Sequence, residues 1–388
     1  MNQVGTLKMK SRKDKSKHSA LTPVRCIRGV ICLVVLILTA FVMLVFLGFI
    51  SAVVLRLFSI HYSRRVTSMV FASWLALWPL LFEKINKTRV IFSGETVLTK
   101  ERVLLFANHR TEVDWMYIWD LALRKGSLGY IKYVLKRSLM KLPIFGWAFH
   151  ILEFIPVQRK WDLDEPIMHQ MLSTLQDPRD SLWLAIFPEG TDFTEQKCIR
   201  GQKYAAEHGL PILKNVLLPK TKGFFACMEK LRISLDAVLD VTIGYKPCCP
   251  SFLDNVFGLN PSEVHIHIRH LSVGDIPSSE DEVGSWLMNT FRLKDELLSE
   301  FYSTGHFPNE GTEEELCTMK CLVNLVGVLA ITSICTFLTF FSSLWIIKLY
   351  VLLVCVYLAF ATKYNYRPPI FSHLCKCFRN PNMKQARD

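Results

Sequence analysis

Residues 30–55 run for 26 positions without a charged side chain, fenced by Arg25 and Arg28 before and Arg56 after. At about 1.5 Å per helical residue, such a run outreaches the roughly 30 Å hydrocarbon core of a bilayer and leaves room for tilt. It is too long for a signal-peptide core and no small-residue cleavage pattern follows, so it reads as a retained segment. A second uncharged run, residues 66–82, has only 17 positions and carries Trp74, Trp78 and Pro79. Its length is compatible with spanning, re-entering or lying in the interface. Near the other end, residues 321–362 form a nearly continuous apolar stretch of 42 positions, interrupted by Ser342-Ser343 and by Lys348. One helix of that length would overshoot the membrane about twofold, which predicts two helices in a tight hairpin, with Lys348 snorkelling near a helix end.

Charge placement agrees with a membrane protein. Residues 1–29 hold eight Lys/Arg and one acid, Asp14, while residues 362–388 hold six and one, Asp388; together they account for the whole net charge of +12. Basic flanks beside apolar runs mark cytosolic ends facing anionic membrane lipid. A nucleic-acid surface would be a basic patch on the folded body, so no nucleic-acid partner is expected. If both N-terminal segments cross, or the pair dips in and returns, the basic tails and everything between the apolar ends share the cytosolic side. If only the first crosses, that middle part is lumenal. Arg64 and Arg65, between the two segments, favour a re-entrant pair.

The twelve cysteines include no C-x-x-C pair, which argues against disulfide or zinc frameworks. His373, Cys375 and Cys377 form a compact group with no second ligand pair after it, and the two thiols suit juxtamembrane palmitoylation better than a metal.

Residues 90–310 alternate strand-like and helix-like signals, as in an α/β domain. Strands are predicted at 102–107, 182–187, 215–218, 237–245 and 264–268, and helices at 114–124, 195–208, 223–232 and 282–302. The expected order is a basic tail at 1–29, membrane segments at 30–82, the domain at 90–310, a membrane hairpin at 321–362 and a second basic tail at 363–388.

No G-x-S-x-G elbow, H-E-x-x-H pair or P-loop is present, so serine-hydrolase, zinc-protease and nucleotide-hydrolase chemistry lose their main supports. Instead Asn108-His109-Arg110-Thr111-Glu112-Val113-Asp114 follows the apolar run 103–107. A His at the mouth of a strand, with an Asp five residues on, can give its Nδ1–H to the carboxylate and keep Nε2 as a base. Thr111-x-x-Asp114 also has the form of a capping box, which needs no catalysis. A second motif, Phe187-Pro188-Glu189-Gly190-Thr191, follows another apolar strand, and such a junction exposes a carboxylate and backbone N–H groups. His265 and His267 alternate with Val264, Ile266 and Ile268 as one face of a strand; they and His270 are not expected to bind metal.

Taken together and in this order, the two motifs resemble the N-H-x-x-x-x-D and F-P-E-G-T signatures of the glycerophospholipid acyltransferase family. The stretch Phe154-Ile155-Pro156-Val157-Gln158-Arg159-Lys160-Trp161 resembles the family's second block, and Asn215-Val216-Leu217-Leu218-Pro219 stands where its fourth falls. Pro156 and the continuation Lys220-Thr221-Lys222 depart from the common pattern. Asn-His-Arg-x-x-x-Asp-Trp-Met, Arg-Lys-Trp and Phe-Pro-Glu-Gly-Thr-Asp are most similar to the plant-type 1-acylglycerol-3-phosphate enzymes and the lysocardiolipin acyltransferases.

The resemblance implies a mixed-sheet α/β acyltransferase domain framed by transmembrane or re-entrant helices. It implies His109 as base, Asp114 as its orienting partner, Arg159 on the acceptor phosphate, and Glu189, Gly190 and Thr191 shaping a glycerol-phosphate pocket, with Glu189 bonding a hydroxyl or fixing Arg159. The thioester of acyl-CoA is already activated, so the reaction needs a base and an oxyanion donor but no covalent nucleophile, cofactor or metal. The implied acceptor is the sn-2 hydroxyl of 1-acylglycerol-3-phosphate, giving phosphatidic acid at the endoplasmic reticulum. Lysophosphatidylinositol or lysocardiolipin is the alternative acceptor. A lipid hydrolase and a non-catalytic membrane scaffold are the readings from other classes.

Overall fold

The computed structural model describes residues 21–99, 101–260, 263–313 and 315–369. Most of the N-terminal basic tail and the group His373, Cys375 and Cys377 lie outside the described residues.

Seven strands form one sheet: β1 (Arg89–Gly94), β2 (Val103–Ala107), β3 (Ile131–Lys136), β4 (Ile155–Val157), β5 (Trp183–Ile186), β6 (Ala237–Lys246) and β7 (Glu263–Ser272), in the order β1-β7-β6-β2-β5-β3-β4. Every pairing is parallel except β6 with β7. β2 is apolar at all five positions because it is buried on both faces, the habit of central parallel strands. Val103, Leu105 and Ala107 enter one core with Leu36, Phe71 and Trp78. Leu104 and Phe106 enter another with Leu172, Phe224 and Phe291.

The first of these cores explains much of the N-terminal apolarity. Helices Pro23–Phe58 and Ile60–Ile85 turn back on each other at Ser59, whose side chain caps the second by accepting from Tyr62 N. Both ends of this hairpin rest on the domain. At its base Arg28 donates to Asn86 Oδ1 (2.8 Å), while Asn86 Nδ2 donates to Asn255 O (2.7 Å). At its tip Arg56 and Arg64 reach Glu153 (2.9 and 2.8 Å), and Arg64 also reaches Asp180 (2.7 Å). The hairpin therefore lies along the sheet, the geometry of a pair that returns to its starting side. Arg64 and Arg65 stand inside the second helix rather than in a loop between two crossings.

Helices Thr318–Phe341 and Trp345–Tyr364 form a second hairpin, broken at Ser342, and differ in exposure. Only 17% of the apolar window is buried in each, against 39% and 61% in the N-terminal pair, so this hairpin presents its apolar surface outward. All four helices are long and apolar enough to cross a membrane, and the chain is membrane-associated. Tyr350 ties the two hairpins together by donating to Val45 O (2.9 Å). Beyond Tyr364 the chain returns to the domain, where His150 Nε2 donates to Tyr366 O (3.0 Å).

One expected strand is absent. Residues 215–218 lie in a bend and the loop after it and pair with no strand, because Lys214 N and Val216 N donate to Asp295 (2.8 and 3.2 Å) and Leu217 N donates to Glu189 (3.0 Å). Amides bound to carboxylates have nothing left for a ladder.

Candidate active site

The site grows from the C-terminal ends of β2, β5 and β4. Past Ala107, Asn108 prolongs the β2–β6 ladder with its side chain, donating to Ile243 O (3.0 Å) and accepting from Ile243 N (2.8 Å). That fixes where the next residue leaves the sheet. His109 Nδ1 lies 2.9 Å from Asp114 Oδ2, and since a carboxylate only accepts, Nδ1 carries the proton and Nε2 is left free as a base. The imidazole stacks on Phe187 at 4.5 Å between centroids. Its side chain is 17% exposed and that of Asp114 is fully buried, so solvent reaches the base but not its partner.

Asp114 is satisfied on both oxygens. Oδ2 also accepts from Arg110 N (2.6 Å) and Thr111 N (3.0 Å), and Oδ1 accepts from the Tyr245 hydroxyl. Burial holds the Tyr245 phenol well above its ordinary value, so it stays a donor. The capping box is only half formed. Asp114 takes the Thr111 amide as such a box would, but the Thr111 hydroxyl donates to Pro250 O.

Glu189 follows β5 and is buried. Its two oxygens accept from His109 N (2.8 Å) and Leu217 N (3.0 Å). It thus braces the His109 loop against the 215–218 segment and makes no bond to Arg159, one of the two partners expected of it. Burial raises its carboxyl to about 8, against the pull of those two amides. Gly190 turns the chain at φ +69°, and Lys220 crosses over it with Nζ 3.6 Å from where a Cβ would project. A side chain there would be strained by that backbone conformation, although Lys220 would meet it only at ordinary contact distance. Thr191 donates to Asp192 (3.0 Å) and accepts from Lys197 (2.9 Å).

Arg159 follows β4 with φ +65°, an uncommon conformation for a side-chain-bearing residue. Buried Asp164 holds it there by accepting from the amides on either side, Gln158 N (2.6 Å) and Lys160 N (3.0 Å). Burial lowers the Arg159 guanidinium's pKa and the charge of Asp192 opposes that, which sets Arg159 beside the Thr191–Asp192 turn.

Tyr245 and Asp164 are the functional neighbours that the motifs did not reveal; Tyr245 ends a strand and Asp164 opens a helix, and neither position stands out in sequence. Cys249 lies by Arg110 and is exposed. The three histidines of the last strand have separate partners: His265 pairs with Glu263 and Glu310, His267 with Ser93, and His270 with Glu101.

A family model described as Acyltransferase matches residues 89–246, and one described as Acyltransferase C-terminus matches residues 255–328. The chain is 65% identical to the Arabidopsis thaliana protein named "Probable 1-acyl-sn-glycerol-3-phosphate acyltransferase 5", over 92% of this chain and 95% of that one. It is 35% identical to 1-acyl-sn-glycerol-3-phosphate acyltransferase 2 of Brassica oleracea, over 71% and 72%. It is 34% identical to lysocardiolipin acyltransferase 1 of Gallus gallus, over 69% and 72%.

Proposed function

The chain belongs to the acyltransferase family, and from that premise we propose that it moves an acyl group from acyl-CoA to the sn-2 hydroxyl of 1-acyl-sn-glycerol-3-phosphate, producing phosphatidic acid. The observation that carries the chemistry is the His109–Asp114 pair at 2.9 Å with Nε2 free. Nε2 takes the proton of the acceptor hydroxyl as its oxygen attacks the thioester carbonyl. The tetrahedral oxyanion then collapses, the carbon–sulfur bond breaks, and the imidazolium returns the proton to the departing thiolate. Asp114 stabilises the imidazolium in between. The relative at 65% identity supports lysophosphatidic acid as acceptor.

Arg159 is assigned to the acceptor phosphate, where a planar fork can bond two oxygens at once. Arg159→Lys is expected to raise the acceptor KM by about 5–150-fold, the equivalent of roughly 1–3 kcal/mol, and to leave the KM for acyl-CoA nearly unchanged. Equal changes in both constants, measured with each substrate varied in turn, contradict the assignment.

The enzyme is assigned to the endoplasmic reticulum with the domain in the cytosol, where acyl-CoA is available. The sequon Asn86-Lys87-Thr88 is then expected to stay unglycosylated. Its amide is also already committed to Asn255 and Val256. An endoglycosidase-sensitive mass shift that Asn86→Gln abolishes puts the domain in the lumen and defeats this orientation.

The direct test is acyl transfer by the purified protein from labelled acyl-CoA to lysophosphatidic acid, lysophosphatidylinositol and lysocardiolipin in parallel. Preference for lysophosphatidic acid is the expected result. Preference for either of the others would replace the acceptor, and acyl-CoA hydrolysis without transfer would replace the reaction.

A further inference from the structure

The C-terminal ends of the parallel strands carry His109, Glu189 and Arg159, whereas their N-terminal ends carry a different chemistry. Arg102 precedes β2, Glu153 precedes β4, Asp180 precedes β5, and Lys132 sits at the start of β3 in register with Leu104 at the start of β2. His109 lies beyond the far end of that strand, so the two edges are separated by roughly 10 Å or more at about 3.3 Å per residue.

A cavity of about 370 Å³ opens at this N-terminal edge, where Arg64, Arg65, Arg102, Lys132 and Arg179 face one lining carboxylate, Asp180. A second, narrower cavity shares Arg64, Ser68 and Lys132 with it and adds Arg56 and Arg367 around Glu153. Its remaining wall includes Ala52, Val53, Tyr357 and Leu358 from the two apolar hairpins.

The cations exceed their counter-charges. Asp177 holds Arg179 (2.6 Å) and Asp236 accepts from the Arg102 amide (2.7 Å), which brings the acids to four against seven cations. Among the described residues Arg65, Arg102 and Arg367 have no carboxylate in ion-pair range. Arg102, although buried, is held only by the carbonyls of Leu175, Asp180 and Ser234 and by the Ser234 hydroxyl. Arg56 Nε is buried without an acceptor. Burial, opposed by Glu153 and reinforced by Arg64, pushes the Lys132 ammonium down to about 8. Surplus charge in a sheltered cavity favours a bound anion, and guanidinium forks match the oxygens of a phosphate.

We propose that this chamber is a second phosphate-binding site, remote from His109, which holds the headgroup phosphate of an anionic phospholipid whose chains run along the apolar walls of the two hairpins. Its occupant would tie both hairpins to the domain at one point. The proposal stands independently of which acceptor the active site uses.

The test uses the full chain carrying Arg159→Ala, so that the acceptor pocket contributes no guanidinium, in detergent micelles. Melting temperature is followed against dioctanoyl phosphatidic acid, dioctanoyl phosphatidylcholine and inorganic phosphate. Phosphatidic acid is expected to stabilise saturably and phosphatidylcholine much less. Arg65→Gln and Arg367→Gln are each expected to weaken the apparent Kd for phosphatidic acid about tenfold. Arg65 is exposed and makes no ion pair, so its variant should fold normally, which its ligand-free melting temperature verifies. If inorganic phosphate also stabilises, with the same sensitivity to both variants, the phosphate group alone suffices and the site still stands. Indifference of both variants to phosphatidic acid, or equal stabilisation by the two lipids, overturns it.

Discussion

Asp114→Asn is expected to lower kcat by on the order of 10³, within the 10²–10⁴ that general-base catalysis commonly supplies, while the protein stays folded. The surrounding donors decide why. Three N–H groups point at Oδ2, from His109, Arg110 and Thr111, and the two backbone amides among them cannot become acceptors. An asparagine must therefore place its oxygen there and turn its NH₂ toward Tyr245, whose hydroxyl can rotate to accept. The His109 tautomer is preserved, and what disappears is the negative charge that stabilises the imidazolium. Thr111→Ala removes only the hydroxyl bond to Pro250 and should keep most of the specific activity. Tyr245→Phe should give a smaller loss than Asp114→Asn, since it leaves the carboxylate charged but less engaged. The three variants are compared by activity per folded, detergent-solubilised molecule. If Asp114→Asn melts earlier yet turns over at nearly the wild-type rate, Asp114 organises the 109–111 loop and does nothing for the chemistry.

The parts of the site that could be read in the sequence are those where local pattern and tertiary role coincide. Residues 114–124 were expected as a helix and are one, because an amphipathic face follows the loop directly. β2, β5 and β6 lie where apolar runs are buried on both faces, and β7 where apolar and histidine residues alternate. β1, β3 and β4 are absent from the expected strands because their signals are weak: β1 is half polar, with Arg89, Ser93 and Gly94 around three apolar residues, β3 carries buried Lys132 inside Ile131–Lys136, and β4 has only three residues, one of them Pro156. Pro156 is tolerated because β4 is the edge of the sheet, where its nitrogen owes no bond to a neighbour. The brace made by Glu189 and the unpaired course of residues 215–218 are illegible in the sequence for a common reason. A carboxylate binding distant backbone amides leaves no periodicity, so neither the brace nor the lost strand shows until the fold brings them together. Arg64 was likewise a topological marker by sequence position, and it becomes a buried ion partner only when Glu153 and Asp180 arrive from elsewhere in the chain.

Glu153→Gln is expected to destabilise the protein by about 3–5 kcal/mol, the scale for breaking a buried ion pair by removing one partner. Arg56 and Arg64 approach this carboxylate at 2.9 and 2.8 Å and Lys132 at 3.2 Å, and Arg367 adds its field. Burial alone would raise the Glu153 pKa, but the four cations hold it well below the ordinary carboxyl range. The sign follows from that depression: the contribution is full above the unfolded value, near 4.3, and is lost as pH falls through the lower folded value. Wild-type protein should therefore keep the hairpin tip docked through neutral pH and release it only in acid, while Glu153→Gln should show the release already at pH 7. At roughly 2–4 °C per kcal/mol for a domain of this size, the melting temperature should fall by on the order of 10 °C. Glu296→Gln is the control, since Glu296 is 59% exposed and pairs with Arg292, itself 43% exposed, and exposed pairs are worth about 1 kcal/mol or less. Because Glu153 is the carboxylate on which all four of these cations act, its loss also deepens the positive charge of the chamber, and phosphatidic acid should recover more stability in Glu153→Gln than in wild type. A melting shift no larger than the Glu296→Gln control would mean that the hairpin is held by its apolar face against the sheet and that the ion cluster at its tip contributes little.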